Sequence, residues 1–193
     1  MVLAVAAALA VAVSPAQPAR DGLVTVQVDG LRAPAADVVI HGGIASEGKM
    51  FGLVPLRDLG NGSWSTVLRA PGFYGVYPIR VRARGVYHDT SAAVAVLPRG
   101  FKASLAGSSP DDVVEKWREA APNGVTIAQH SVWRQGFFYH RDQRYNRLVR
   151  VKYTLLSDWP RYHLKEGTAV KWFDLVRTSL TDRWHLVQVV DAP

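Results

Sequence analysis

Over residues 21–98, apolar and polar positions alternate with period two and are interrupted at short intervals by turn-forming residues. This is the pattern of short β-strands. Leu23–Val28 is apolar at every second position and stops at Asp29-Gly30; Val38–Ile40 stops at Gly42-Gly43. Phe51–Leu56 runs toward Asp58-Leu59-Gly60-Asn61-Gly62, a loop whose glycines accept positive φ without steric cost. Trp64–Leu68 ends at Ala70-Pro71-Gly72. Across Val76–Arg84, Val76, Pro78 and three arginines (Arg80, Arg82, Arg84) share one side. Tyr77, Ile79, Val81 and Ala83 share the other, as in a half-buried strand. Ala92–Leu97 closes a set of six or seven strands without a helix, which predicts a β-sandwich over residues 21–98.

The periodicity changes after residue 109. Ser109 is placed to cap a helix, Pro110 suits its first position, and Asp111 and Asp112 favour the positive end of its dipole. Val113, Val114, Trp117, Ala120 and Ala121 recur at three- and four-residue steps and form one apolar face, until Pro122-Asn123-Gly124 ends the run. Period two then returns. Val125–Tyr139 is followed by Leu148–Leu156, where Val149, Val151, Tyr153 and Leu155 face one way and Arg150, Lys152 and Thr154 the other. Ala169–Thr178 and Trp184–Val190 complete the pattern. The expected fold class is mainly β with one α+β domain: a sandwich at 21–98, a linker at 99–109, and one helix on a four-stranded antiparallel sheet at 110–193.

Two resemblances arise from these runs. Pro55-Leu56-Arg57-Asp58-Leu59-Gly60-Asn61-Gly62-Ser63-Trp64, followed by Ala70-Pro71-Gly72-Phe73-Tyr74-Gly75-Val76-Tyr77, resembles bacterial immunoglobulin-like sandwich modules. That resemblance implies a spacer or adhesion module. Some exported relatives of this shape bind copper through methionine and histidine, but Met50, His41 and His88 are too few and too scattered here. In the second half, Trp172-Phe173-Asp174-Leu175-Val176-Arg177 and Trp184-His185-Leu186-Val187-Gln188-Val189-Val190 resemble the nuclear-transport-factor-2-like superfamily. A cystatin-like helix-on-sheet arrangement fits the same order. The superfamily hosts both enzymes and assembly domains, so the fold alone does not choose between them.

The first thirteen residues are apolar and uncharged, too short to cross a bilayer, and are followed by Ser14-Pro15-Ala16 and Gln17-Pro18-Ala19. Residues 1–19 therefore read as a signal-like segment of an exported protein, extracytoplasmic in location, whose mature chain starts at Gln17 or Arg20. The absence of cysteine excludes disulfides, thiolate nucleophiles and thiolate metal ligands together.

Charge divides the chain. Residues 99–193 carry fifteen Lys/Arg against ten Asp/Glu. Residues 130–165 hold eight basic residues (Arg134, Arg141, Arg144, Arg147, Arg150, Lys152, Arg161 and Lys165) opposed only by Asp142 and Asp158. Among them, Arg141, Arg144, Arg147, Arg150 and Lys152 are a candidate surface for an anionic polymer, an acidic membrane surface or an acidic protein. No nucleic-acid-binding motif accompanies it.

Catalytic motifs are missing. His140-Arg141-Asp142 matches a kinase tripeptide, yet position 147 is arginine where that motif needs asparagine, and no glycine-rich phosphate loop precedes it. The six histidines have no metal-ligand spacing, so no metal or other cofactor is expected. Asp174 shares a strand face with Val170, Trp172 and Val176, which makes it a carboxylate in an apolar setting, suited to proton transfer if unpaired. With Tyr153 and His130 it would supply the polar groups of a pocket between helix 110–121 and the sheet. The leading expectation is a non-catalytic exported envelope module that binds or scaffolds. The alternative is a small ligand-binding protein or enzyme using that pocket.

Overall fold

The computed structural model describes residues 9–40, 53–101, 104–121, 124–133 and 144–191. The chain divides into two compact units, Met1–Val96 and Leu97–Pro193.

In the first unit, the valines that alternate through β2 (Leu23–Asp29) decide which way its sheet faces: Val24, Val26 and Val28 are fully buried, while Leu23, Thr25 and Gln27 are exposed. β2 lies between β1 (Ala10–Ser14) and β6 (Ser63–Arg69), with β5 (Arg57–Gly60) beyond. A second sheet has the order β4-β3-β7-β8, built from β3 (Ala36–Ile40), β4 (Val54–Pro55), β7 (Gly75–Ala83) and β8 (Val86–Val96). Both contribute to one core, where Val24, Val26, Val28, Trp64 and Leu68 meet Val38, Tyr77, Ile79, Val81 and Val94. Each such side chain contributes about 1.5–3 kcal/mol by leaving water. The Trp64 indole donates to the Leu31 carbonyl at 2.9 Å, so its one polar atom is satisfied inside that core.

Tyr77, Ile79, Val81 and Ala83 face inward as the alternation of β7 predicts. Outside, Arg80 pairs with Asp89 of β8 and Arg82 with Asp37 of β3, each across to a neighbouring strand. The glycine-rich stretch expected as a loop is a hairpin instead. Asn61 and Gly62, at φ of 54° and 79°, form its two-residue turn and leave Arg57–Gly60 as β5. Asn-Gly is favoured there because both positions need positive φ.

The apolar start also differs from expectation. Ala10–Ser14 is not a segment standing apart but a strand paired antiparallel with β2, from Ala10 opposite Asp29 to Ser14 opposite Thr25. Leu9, Val11 and Val13 pack on the core. Alternating alanine and valine satisfies a strand, with one face inward, as readily as it fills an apolar leader.

In the second unit the sheet order is β10-β11-β12-β13-β9. Its strands are β9 (Ala106–Gly107), β10 (Val125–Trp133), β11 (Asn146–Leu155), β12 (Gly167–Val176) and β13 (Trp184–Val190). The last four form the expected antiparallel meander; β9 is a fifth strand, from the stretch expected to be a linker. Residues 134–139 of the long strand expected over Val125–Tyr139 lie outside the described residues.

The helix α1 (Pro110–Glu119) is capped by Ser109, whose hydroxyl accepts the Asp112 amide at 3.1 Å. The Asp112 carboxylate accepts the Ser108 amide and hydroxyl, which, with Lys116 nearby, hold it below the usual carboxylate range. Gly107 permits this tight entry, since a Cβ there would stand 2.7 Å from the Val113 nitrogen. Val113, Val114 and Trp117 are fully buried against Val149, Val151, Tyr153, Phe173 and Leu175 of the sheet.

Candidate functional site

The register of the second sheet separates the three residues expected to share a pocket. Tyr153 lies opposite Ile127 and His130 opposite Val151, so both belong to the face that packs on α1. Asp174 lies opposite Leu148 and Gln188, on the other face. Paired residues share a face and successive residues alternate, so no side-chain rotation brings Asp174 to the other two.

Each of the three has its own environment. Asp174 is buried, and Gln188 donates Nε2 to its carboxylate at 3.1 Å. His130 reaches the first turn of α1, with Nε2 3.0 Å from an Asp111 carboxylate oxygen. Burial, and secondarily the charge of Asp191, push the Tyr153 phenol up to about 12. Among the described residues, aromatic rings pack beneath the helix. The Trp117 ring meets Tyr153 at 5.3 Å, Trp159 at 5.1 Å and Phe173 at 4.8 Å between centroids.

The four described residues of the basic cluster, Arg144, Arg147, Arg150 and Lys152, do not share one face. Arg147 is on the helix-side face, opposite Leu175, with its guanidinium 5.6 Å from the Trp184 ring; Arg177 approaches that ring at 4.8 Å. Arg150 and Lys152 stand on the opposite face, across from Trp172 and Val170. Arg144 is exposed in the turn before β11, and Arg141 lies outside the described residues, as do His41 and Met50.

A cavity of about 480 Å³ opens elsewhere in this unit. It lies among the chain that precedes β9, the 3-10 turn Pro160–Tyr162, and β13. Arg99, Arg161 and His163 line it together with Phe101, Tyr162, Ser104 and the stretch Leu186–Val189. Among the described residues that line it, none is Asp or Glu. The volume is within the range of ordinary ligand sites.

Local chemistry shapes each wall. Trp159 and Leu164 exchange backbone hydrogen bonds around the 3-10 turn, and His163 takes a left-handed conformation at φ 55° to close it. Tyr162 meets Trp159 edge-on at 4.9 Å, and the Arg161 guanidinium is 5.6 Å from the Tyr162 ring. Burial raises the Tyr162 phenol above its usual value, with the charge of Arg161 pulling the other way. On the facing wall, Phe101 packs on the His185 ring at 4.6 Å, and Ser104 Oγ is 3.2 Å from His185 Nδ1.

β9 covers only part of β13. It pairs with Trp184 and His185, and the Leu186 amide donates to the Leu105 carbonyl at 2.9 Å. Beyond that point β13 continues to Val190, with β12 as its only strand neighbour among the described residues. The register shifts between Asp174 and Leu175, which leaves Val187 as an extra residue at the cavity wall.

Sequence reasoning missed this site because its two halves were read as connections. Arg99-Gly100-Phe101 was expected in the linker, and Trp159–His163 between strands. Basic residues next to aromatic ones in both segments were the available signal. Among the described residues no group of three or more His, Cys, Asp or Glu could hold a metal ion, and no helix is long and apolar enough to cross a membrane. No protein-family model, curated protein or solved structure matches the chain.

Proposed function

We propose that this chain is a non-catalytic binding module that takes an anionic partner at the cavity of its second unit. The observation that carries this reading is a lining with Arg99, Arg161 and His163 but no Asp or Glu among its described residues. Arginines gathered in a concave site attract anions more strongly than the same charges on a flat surface, because the surrounding protein focuses the field. The excess of Lys/Arg over Asp/Glu in residues 99–193 has the same sign. The separation of Asp174 from Tyr153 and His130, with Trp117 packed on Tyr153 beneath the helix, favours binding over chemistry there. In this reading the first unit is an immunoglobulin-like spacer, the second a variant of the nuclear-transport-factor-2-like or cystatin-like layout, and the location extracytoplasmic. The strand alternation of the two units supports the first two of those proposals, and the uncharged apolar run that precedes β1 supports the third.

Calorimetric titration with inorganic tripolyphosphate tests the site. Saturable heat from the native chain, lost in an Arg99→Glu, Arg161→Glu variant that melts at the same temperature, supports it. Equal heats from both proteins place the anion elsewhere.

A further inference from the structure

The anionic partner has a more specific form if the cavity is considered together with the sheet edge inside it. Along an antiparallel strand, alternate residues direct both backbone groups to one side, so a strand with one neighbour presents a row of open donors and acceptors on the other. β13 is in that condition after Leu186: β9 ends its pairing at His185, and no described strand replaces it beside Val187–Val190. Before β9, the Phe101 amide donates to the Pro98 carbonyl at 3.2 Å and the Ser104 amide to the Phe101 carbonyl at 3.0 Å, turns in place of an extended strand. These residues line the cavity together with Leu186–Val189.

Resting on the reading of the cavity as an anion site, we propose that its ligand is an extended peptide segment. The peptide adds to the open edge of β13 as a strand and places a carboxylate, terminal or side-chain, against Arg99, Arg161 and His163. Three features fit a peptide rather than a bare anion. The backbone edge supplies hydrogen bonds that only another backbone matches in register. Val189, Phe101 and Tyr162, each partly exposed, give apolar surface for side chains of the added strand. Arg99 and Arg161 line the same cavity, so affinity comes from the backbone and orientation from charge. Arg161, held near the Tyr162 ring, presents its planar fork at little further entropic cost, which suits bidentate capture of a carboxylate.

The experiment uses the full chain and three probes: a short peptide of alternating valine and threonine with a free C-terminal carboxylate, the same peptide with alternate amides N-methylated, and inorganic tripolyphosphate. Binding is read by calorimetry and by hydrogen exchange of the Val187–Val190 amides. The expected result is that the free-acid peptide binds and slows exchange at these amides, and that N-methylation weakens binding at least about tenfold. Arg161→Glu weakens the free-acid peptide by a similar factor, and tripolyphosphate binds without slowing the exchange. Equal binding of both peptides, or peptide binding without protection of β13, overturns strand addition. If tripolyphosphate still binds, the anion-site reading survives that result; if no probe binds, both fail.

Discussion

The indole of Trp117 meets the ring of Phe173 edge-on, with centroids 4.8 Å apart, and stacks on Trp159 at 5.1 Å. This contact locks α1 to β12 and makes Trp117 the largest fully buried side chain of the chain's described residues. Its Nε1 is buried without a hydrogen-bond partner, so the ring contributes through packing and not through its polar atom. Trp117→Ala is expected to destabilise the second unit by about 3–5 kcal/mol. Trp117→Phe is expected to cost less: both variants remove the unsatisfied donor, but phenylalanine keeps most of the ring packing. Urea unfolding followed by far-ultraviolet circular dichroism measures both, and equal losses would mean that ring packing on Phe173 and Trp159 is not what the side chain contributes.

Tyr153 gives the second unit an alkaline limit. Burial raises its phenol to about 12 from an ordinary value of 10.0. A group whose folded value is raised stabilises the fold fully below its unfolded value and loses that contribution as pH climbs toward the folded one. The second unit should therefore weaken between about pH 10 and 12, and Tyr153→Phe should flatten that part of the curve. Melting temperatures of both proteins across this range test it; parallel curves would exclude Tyr153 as the source.

β1 sets a limit on processing. Cleavage after Ala16 or Ala19 would remove Ala10–Ser14 and uncover the edge of β2, together with the core surface under Val11 and Val13. Protein recovered from the envelope of an expressing bacterium is expected to retain Ala10. A chain beginning at Gln17, which lacks β1, should melt several degrees lower than the full one. Intact mass reads the first outcome and thermal melts the second; a recovered product starting at Gln17 would show that the mature fold does without β1.

Much of the architecture was legible because burial enforces periodicity. Val24, Val26 and Val28, the inward row of β7, and the Val149-Val151-Tyr153 row of β11 each announce a face. So does the cap at Ser109, where a local hydrogen bond decides the helix start. Residues that are strands through their partners were less legible. Ala10–Ser14 has small side chains that suit several environments, and Ala106–Gly107 is a two-residue strand with no period to detect. The alternation of β12 did announce the face that Asp174 shares with Trp172 and Val176, but not which neighbour covers it; that depends on register across three strands. The cavity was illegible for the same reason. Arg99 and Arg161 are more than sixty positions apart, and only the return of β13 brings their segments together.

The central claim is that the cavity, and not the general positive charge of the second unit, engages the anionic partner. Two charge-reversal variants separate these possibilities: Arg99→Glu with Arg161→Glu at the cavity, and Arg150→Glu with Lys152→Glu on the sheet face away from α1. Each changes the net charge by the same amount. Their binding to immobilised poly-glutamate, measured against the native chain over a salt series, is the deciding comparison. Attraction of either origin should weaken as the Debye length falls from about 10 Å at 0.1 M salt to about 3 Å at 1 M, so only the difference between variants is diagnostic. The cavity variant should lose binding at every salt concentration, while the sheet-face variant keeps most of the native affinity. Equal losses in the two, or a larger loss in the sheet-face variant, would contradict the account.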